Sequence, residues 1–182
     1  MKVDINNIYH LYNRGNQKQV LFYNDYNYTF FLGKIEKHLL PCVDILSWTL
    51  MPNHYHLMIH TNERSVELIE NRILPISRLS ESFRLIQSSY TKALNAERNL
   101  WGNLFHQKFQ SKLVHLDTSI QATNTFHYVH SNATRAGLVD RMEDWNYSSY
   151  NEYLFPERKG LCNKELAMHL LGLDREAILR GM

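Results

Sequence analysis

Residues 51–60 read MPNHYHLMIH, with two histidines one residue apart at the start of an alternating apolar run. In a β-strand, side chains at positions i and i+2 leave the same face of the sheet. His54 and His56 are therefore predicted to point together, while Tyr55 and Leu57 point to the opposite face. Two imidazoles displayed in this way can act as a pair of metal ligands, and other parts of the chain can supply further ligands.

The residues around this stretch predict three strands and a helix. Residues 8–13 and 43–50 are rich in β-formers and have the length of strands. The turn pair at residues 52–53 predicts that the second of these strands and the His54 strand form a hairpin. Between the first two strands, residues 24–40 have a capping asparagine and helical apolar spacing, which predict a helix.

The next segments predict a long helix and a fourth strand. Apolar residues recur at helical spacing over residues 76–94, which indicates one amphipathic helix. Residues 104–116 are typical of a strand, and Phe105, Phe109 and Leu113 would share its core face. Its other face would be wet and basic.

An additional helix is predicted over residues 117–136, and Gly137 is well placed to end it. The element order is then β-α-β-β-α-β-α. The predicted fold class is α+β, a ferredoxin-like four-stranded antiparallel sheet with helices packed on one face, plus this additional helix. The other sheet face would be open to a ligand. We assign residues 1–153 to this domain and residues 154–182 to a C-terminal helical extension.

The bulk composition indicates one soluble domain. The chain has 182 residues, 44% of them hydrophobic, which is enough to bury one sizeable core. Cys42 and Cys162 are widely separated and match no metal or redox spacing, which indicates a reducing compartment. The sequence has no apolar run of the roughly 18 residues that a membrane helix requires, and it lacks a signal peptide. We therefore expect a cytoplasmic protein with no membrane partner.

The positive charge is concentrated in one part of the chain. The formal net charge is only +2, but residues 72–115 hold seven Lys or Arg against two acids, Glu81 and Glu97. A net charge of +5 in that segment indicates a region that faces a polyanion. A solvated helix face is the alternative, and charge alone does not decide between them.

The additional helix presents two different faces. At about 100° per residue, one narrow stripe contains only apolar residues and is predicted to be buried; its members are Ala122, Phe126, Val129 and Ala133. Tyr128 and Asn132, an i and i+4 pair, share a face about 100° away from that stripe. A tyrosine in that position is not readily explained by packing.

A tyrosine and a carboxamide opposite two histidines match the needs of metal-assisted phosphoryl transfer. A phenol has an ordinary pKa of about 10 and is a poor nucleophile at neutral pH. A divalent cation polarises the phosphorus and stabilises the negative charge that develops. Two imidazoles and one amide oxygen suit Mn²⁺ or, in a mixed nitrogen and oxygen site, Mg²⁺.

These motifs resemble a known family. In chain order, the sequence contains the turn Arg14-Gly15-Asn16, then MPNHYHLMI, Ser89-Tyr90-Thr91, LFHQKFQSKLV, FHYVHSNATRAGLV and WNYSSY. Together they look like the single-tyrosine HUH transposases, and most of all the REP-associated tyrosine transposases and their transposase-like relatives. The resemblance spans about residues 5 to 153.

The resemblance implies a transposase that nicks and joins single-stranded DNA, often next to a hairpin, through a covalent 5′-phosphotyrosine intermediate. By position, Tyr128 matches the family's nucleophile, His54 and His56 its paired metal ligands, and Asn132 its polar third ligand. The family commonly has Asn-Pro where this chain has Asn132-Ala133. Candidate DNA phosphate contacts are four basic residues, Arg14, Lys108, Lys112 and Arg135.

Two other functions remain open at this point. One is a DNA-binding regulator that keeps the fold but does not cut, and the other is a metal-dependent phosphodiesterase that uses water instead of Tyr128. The oligomeric state is also open, as monomer or homodimer. The long continuation after Gly137 favours an active site built within one chain.

Overall fold

The computed structural model describes residues 3–70, 73–107, 109–115 and 119–180. Lys108, a candidate DNA contact, lies outside the described residues. So do Asp117 and Thr118, which were expected to cap the additional helix.

The centre of the fold is one antiparallel sheet. Its strands are β1 (Ile8–Arg14), β2 (Val43–Met51) and β3 (His54–Thr61), together with β6 (Gln110–Val114), whereas β4 (Leu68–Ile69) and β5 (Ile76–Ser77) form a separate short ribbon. The order across the sheet is β2-β3-β1-β6, and every neighbouring pair is antiparallel. The predicted ferredoxin-like four-stranded sheet is confirmed, as is the hairpin between β2 and β3.

The helices follow the predicted order with several short additions. They are α1 (Asp25–His38), α2 (Glu63–Val66), α3 (Arg78–Arg98), α4 (Ser119–His130), α5 (Asn132–Arg135), α6 (Tyr150–Leu154), α7 (Lys164–Leu171) and α8 (Arg175–Arg180). Asn24 caps α1 by accepting from the backbone N–H of Asn27 at 3.0 Å. Ser77 caps α3, so the long helix begins after Ile76, which belongs to β5 instead.

One face of the sheet, which we call the helix face, carries Tyr55, Leu57 and Ile59. The helices α1 and α3 pack on it, and their apolar stripes supply Phe31, Ile35, Phe83, Ile86 and Tyr90 to the main core. The buried Tyr90 also donates its hydroxyl hydrogen to the carbonyl oxygen of Leu21 at 2.6 Å. These contacts hold β3 in register, so that its alternate side chains all leave the opposite face.

That opposite face, which we call the site face, carries His54, His56 and Met58. The expectation that it is open is wrong over much of its area. A second core covers one end of it, where α4, α7 and α8 pack against Met58 and its neighbours; this core includes Ile8, Met58, Val114, Ala122, Phe126, Ala167, Leu171 and Ile178. The reason is the apolar stripe of α4, which is removed from water only by lying on a second apolar surface. The end near His54 stays accessible.

The fourth strand is shorter than predicted. Residues 104–107 and Phe109 are not part of β6, although Phe105 forms an isolated bridge with Gly15. Phe105 and Phe109 pack on the core as predicted.

Leu113 does not fill the core as expected. It lies opposite Tyr9 in the register of β1 and β6, but 39% of its surface is exposed. It belongs to an edge strand, where only one neighbouring strand covers the side chain.

The helix predicted over residues 117–136 is divided at Ser131. α4 ends at His130 and α5 begins at Asn132, with Ser131 at φ −83° and ψ 3° between them. Gly137 follows α5 with φ +66°, which only glycine adopts without strain. The predicted end of the helical segment is therefore confirmed.

The C-terminal part of the chain packs on the same site face. α7 matches the helix predicted near residues 164–171, and α8 was not predicted. The boundary between a domain and an extension at residue 153 stays a prediction. No helix in the described part of the chain is long and apolar enough to cross a membrane.

The WNYSSY segment ties α4 to the edge of the sheet. The Ser149 hydroxyl oxygen accepts from the backbone N–H of Trp48 at 2.8 Å and lies 2.8 Å from Nε2 of His130. His130 is buried, and burial lowers its pKa to about 3, so the ring is neutral. This histidine, two residues after Tyr128, therefore anchors its helix to the sheet.

We expect Ser149→Ala to lower the free energy of unfolding by about 1–3 kcal/mol, because Trp48 N–H and the His130 ring would be left buried without their shared partner. Chemical denaturation measures the change. Ser88→Ala on α3 is the matched control, since the half-buried Ser88 makes one long bond to its own helix, and it should change stability by less than about 0.5 kcal/mol. Equal effects of the two substitutions would contradict the anchoring role.

Candidate active site

The accessible end of the site face holds the two histidines of β3. Tyr55 and Leu57 are fully buried on the helix face, so the alternation places His54 and His56 together on the other side. Their ring centroids lie 5.1 Å apart and the ring planes are nearly perpendicular, at 89°. The structure therefore brings the predicted pair together.

Each histidine has one ring nitrogen engaged by a neighbour. Nδ1 of His54 lies 2.7 Å from the side-chain oxygen of Asn53, and Nδ1 of His56 lies 2.8 Å from Nε2 of His10. Asn53 also donates from Nδ2 to the carbonyl oxygen of Lys18 at 3.3 Å, which fixes its amide. With Nδ1 engaged by another side chain, Nε2 is the ring nitrogen that a metal would use in each histidine.

The histidines are held in their neutral form. Burial lowers the pKa of His56 to about 2, and the neighbouring His10 and His54 add to the shift. Burial also lowers the pKa of His54, while a hydrogen bond with the Asn132 side chain opposes that shift. A metal ligand must be an unprotonated imidazole, so the environment prepares both rings for that role.

Tyr128 faces these histidines from α4. Its ring meets His56 edge-on at 5.5 Å and His10 edge-on at 5.9 Å between centroids. The side chain is 39% exposed, so a ligand can reach the hydroxyl. The guanidinium carbon of Arg135 lies 5.7 Å from the centre of the Tyr128 ring.

Asn132 links the tyrosine to the histidines. Its Nδ2 donates to the carbonyl oxygen of Tyr128 at 2.6 Å, and its side chain also hydrogen-bonds to His54. With Nδ2 engaged by the Tyr128 carbonyl, the amide oxygen is the atom of Asn132 that could bind a metal. Ala133, which follows Asn132, is fully buried in the apolar stripe.

These side chains form a donor set that fits a divalent cation. In the part of the chain that the structure describes, no three His, Cys, Asp or Glu side chains are grouped to hold a metal. A site would therefore consist of His54, His56 and the amide oxygen of Asn132. Two imidazoles and one amide carry no charge, so an anionic ligand would have to come from a bound substrate.

Two adjoining clefts meet at this group. The first has a volume of about 460 Å³ and the second about 730 Å³, and Tyr12, His56 and Tyr128 line both. The first cleft is basic, with Arg14 and Lys18 in its wall. The second runs along α4 and is lined by Lys112 and by uncharged polar side chains, namely Gln121, Asn124 and Thr125. Tyr128 thus stands between two surfaces that an extended polymer can follow.

Three of the four predicted DNA contacts lie beside the clefts. Arg14 is paired directly across the sheet from His54, and Lys112 is paired across from His10. The Lys112 ammonium lies 5.7 Å from the centre of the Tyr12 ring. Arg135 covers Tyr128, as described above. The fourth, Lys108, is outside the described residues.

Sequence considerations missed Lys18 and the role of Asn53. Lys18 lies in a short turn after β1, and it adopts the left-handed region at φ +62°, as does Gln17. Gly15 makes that turn possible, because a Cβ at this position would lie 2.1 Å from the carbonyl oxygen of Gln19. The run Arg14-Gly15-Asn16 signalled a turn but not that it returns a lysine to the histidines.

Comparison with known proteins supports the fold. No protein-family model matches the sequence, and no curated protein matches it either. A solved structure of a REP-associated tyrosine transposase bound to a REP hairpin superposes with a TM-score of 0.64, covering 88% of this chain and 87% of that one at 16% identity. The chain has the fold of a REP-associated tyrosine transposase. At this identity, the likeness to that transposase establishes the fold alone.

Two further structures are more distant than the REP-associated transposase. They are bacterial tRNA(His) guanylyltransferase-like proteins in complex with GTP and with ATP, each at 8% identity and a TM-score of 0.47. They cover 87% and 98% of this chain, and 73% and 71% of their own chains. At that level of similarity they support no argument about function.

Proposed function

We propose that this chain is a metal-dependent tyrosine transposase that cleaves and rejoins single-stranded DNA, with Tyr128 as the nucleophile. The observation that carries the proposal is the grouping of Tyr128, His56 and His54 where two clefts meet, with Asn132 hydrogen-bonded to both Tyr128 and His54. In this chain the grouping lies on a fold that is shared with a REP-associated tyrosine transposase. The shared fold supports DNA binding and a transposase-like function, and the cleavage chemistry is inferred from the side chains.

The proposed reaction is a transesterification at a phosphodiester. The Tyr128 hydroxyl oxygen forms a bond to phosphorus, the bond from phosphorus to the 3′-oxygen breaks, and that oxygen leaves as a 3′-hydroxyl. The phenolic proton is released and the leaving oxygen takes up a proton, so the step is balanced without an external energy source. Attack by a 3′-hydroxyl on the phosphotyrosine reverses the step and joins the strands.

The chain's own residues supply positioning and charge. A divalent metal, Mg²⁺ or Mn²⁺, held by His54, His56 and Asn132 would polarise the phosphate. Arg135 lies over the Tyr128 ring, where its guanidinium can pair with the phosphate that becomes attached to the tyrosine. Asn132 ties the backbone of Tyr128 to His54, which fixes the distance between nucleophile and ligands.

The clefts favour a single strand as the substrate. Tyr128 separates a basic cleft from a polar one, so a strand can continue on both sides of the attacked phosphate. The structural neighbour is bound to a REP hairpin. We extend that partner to this chain and propose that the cleavage site lies next to a DNA hairpin.

We further propose that Tyr128 acts on DNA held by the histidines of its own chain. The edge contact between Tyr128 and His56 at 5.5 Å occurs within a single chain. A tyrosine exchanged between two subunits would not need this intrachain contact. The arrangement therefore supports a complete site in each chain, whether or not two chains associate.

The test uses labelled single-stranded DNA that carries a hairpin, incubated with the protein and Mn²⁺ or Mg²⁺ and separated on a denaturing gel. We expect a slow-migrating covalent protein–DNA adduct and a shortened strand with a free 3′-hydroxyl, both lost with chelator. Cleavage without an adduct would support a phosphodiesterase that uses water. Binding without any cleavage would support the non-cutting regulator.

We expect Arg14→Gln to weaken binding of single-stranded DNA without preference for sequence. Loss of one phosphate contact on a single strand reduces the steepness of the plot of log K against log salt by about 0.7. At 0.1 M salt, this corresponds to an affinity about fivefold weaker. Fluorescence anisotropy at several salt concentrations measures both quantities. The control is Lys34→Gln, which removes the same charge from the other side of the sheet. Lys34 belongs to α1 on the helix face, where its ammonium lies over the Phe30 ring. A similar loss in that control would show that Arg14 contributes only to net charge.

A further inference from the structure

The inference concerns His10, a residue of β1 that belongs neither to the metal donor set nor to the predicted DNA contacts. Its Nε2 lies 2.8 Å from Nδ1 of His56, and the two rings stack with centroids 5.0 Å apart and planes at 23°. We propose that His10 is a positioning residue that fixes the tautomer and orientation of His56, so that Nε2 of His56 faces the metal. This proposal rests on the proposed function, because it assigns a metal to His56.

The contact between two imidazoles permits only two proton arrangements when both rings are neutral. One nitrogen of the pair must carry the hydrogen and the other must accept it. If Nδ1 of His56 is the donor, then Nε2 of His56 has a free lone pair and can bind a metal. If Nε2 of His10 is the donor, His56 is protonated on Nε2 and cannot.

The surroundings of His10 keep its ring neutral, as both proton arrangements require. Burial lowers the pKa of His10 to about 4, and Lys112, which is paired directly across from it on the neighbouring strand, adds to the shift. A neutral His10 protonated on Nδ1 presents the Nε2 lone pair to His56. The metal, once bound, selects the same arrangement, so that the pair and the metal stabilise each other.

Packing also restricts both rings. Tyr12 contacts the His10 ring at 5.1 Å and the His56 ring at 5.5 Å, and Tyr128 meets both edge-on from α4. The two rings therefore have little freedom to separate. His54 has a comparable partner in Asn53, whose amide oxygen accepts from Nδ1. Each histidine of the pair thus has its own orienting group, from a different segment of the chain.

The strand register explains why His10 reaches His56. Tyr12 is directly opposite His56, and His10 is two residues from Tyr12 on the same face of β1. Diagonal neighbours of this kind lie within reach of long or aromatic side chains. An ordinary sheet histidine is the alternative, and His60 provides an example. It lies on the same face of β3, with its Nδ1 4.0 Å from a carboxylate oxygen of Asp44.

The test compares His10→Phe, His10→Gln and the control His60→Phe by two measurements made without DNA. Long-range ¹H–¹⁵N NMR reports which nitrogen of His56 is protonated, with the signals assigned by their loss in His56→Gln. Calorimetric titration with Mn²⁺ alone reports metal affinity. Thermal unfolding shows whether each variant is folded.

We expect His56 to be protonated on Nδ1 in the unmodified protein. His10→Phe, which removes the acceptor, should give a mixture of tautomers and weaken Mn²⁺ binding by about 10- to 100-fold. His10→Gln keeps an oxygen acceptor and should retain the tautomer and most of the affinity, whereas His60→Phe should change neither.

Two outcomes would overturn the proposal. One is a His56 ring protonated mainly on Nε2 in the unmodified protein, a measurement that needs no His10 variant and no bound metal. Another is a folded His10→Phe variant with unchanged tautomer and unchanged Mn²⁺ affinity. Failure of the proposed function is distinguishable, because the DNA assay would then give no adduct while the His56 tautomer still depended on His10.

Discussion

Tyr128→Phe is expected to abolish the covalent protein–DNA adduct and to reduce cleavage by about three orders of magnitude or more, as loss of a nucleophile does in other enzymes. The substitution removes one oxygen and leaves the ring that contacts His10 and His56. Because the side chain is partly exposed, stability should change by less than about 0.5 kcal/mol. The measurement is adduct yield on a denaturing gel under single-turnover conditions.

The matched control is Tyr26→Phe, because Tyr26 is 65% exposed on α1, away from the clefts. It should leave the adduct unchanged. A persistent adduct in Tyr128→Phe would assign the nucleophile to another tyrosine, and Tyr12, which lines both clefts, would be the first to examine. Cleavage that survives without an adduct would indicate water as the nucleophile.

Local periodicity predicted the two halves of the candidate site. The alternation of β3 placed His54 and His56 on one face. On the additional helix, the angle of about 100° between the apolar stripe and the Tyr128 face placed the tyrosine outside the buried stripe. Both depend only on fixed repeats of 2.0 and 3.6 residues, which sequence shows directly. The same repeats placed Asn132 beside Tyr128, although the structure divides the helix between them at Ser131.

Features that depend on strand register or on packing between distant segments were not predicted. The contact of His10 with His56 requires the pairing of Tyr12 with His56, which no local pattern specifies. The burial of His130 requires the WNYSSY segment to return beside β2, more than ten residues later in the chain. The coverage of the site face by α4 and α7 likewise follows from where two apolar stripes meet.

His56→Ala is expected to reduce cleavage at least a hundredfold, because it removes one of three ligands from an uncharged donor set. A metal that polarises a phosphate contributes several kcal/mol, and each 1.36 kcal/mol corresponds to about tenfold in rate. The loss should be partly recovered at high Mn²⁺ concentration, since His54 and Asn132 remain. Single-turnover cleavage rates measured over a Mn²⁺ titration test both expectations.

The control for this change is His60→Ala, which removes an imidazole from the same face of β3 but from a position beside Asp44. His56→Ala also leaves Nε2 of His10 without its partner, so a loss of about 1–3 kcal/mol in stability is expected and the assay must be run well below the unfolding temperature. His56→Gln, which keeps a polar group of similar length, separates the two effects. If folded His56→Ala cleaves at the rate of His60→Ala at every Mn²⁺ concentration, the histidine pair does not hold the metal. Tyr128 would then have to attack the phosphate without a metal held by these histidines.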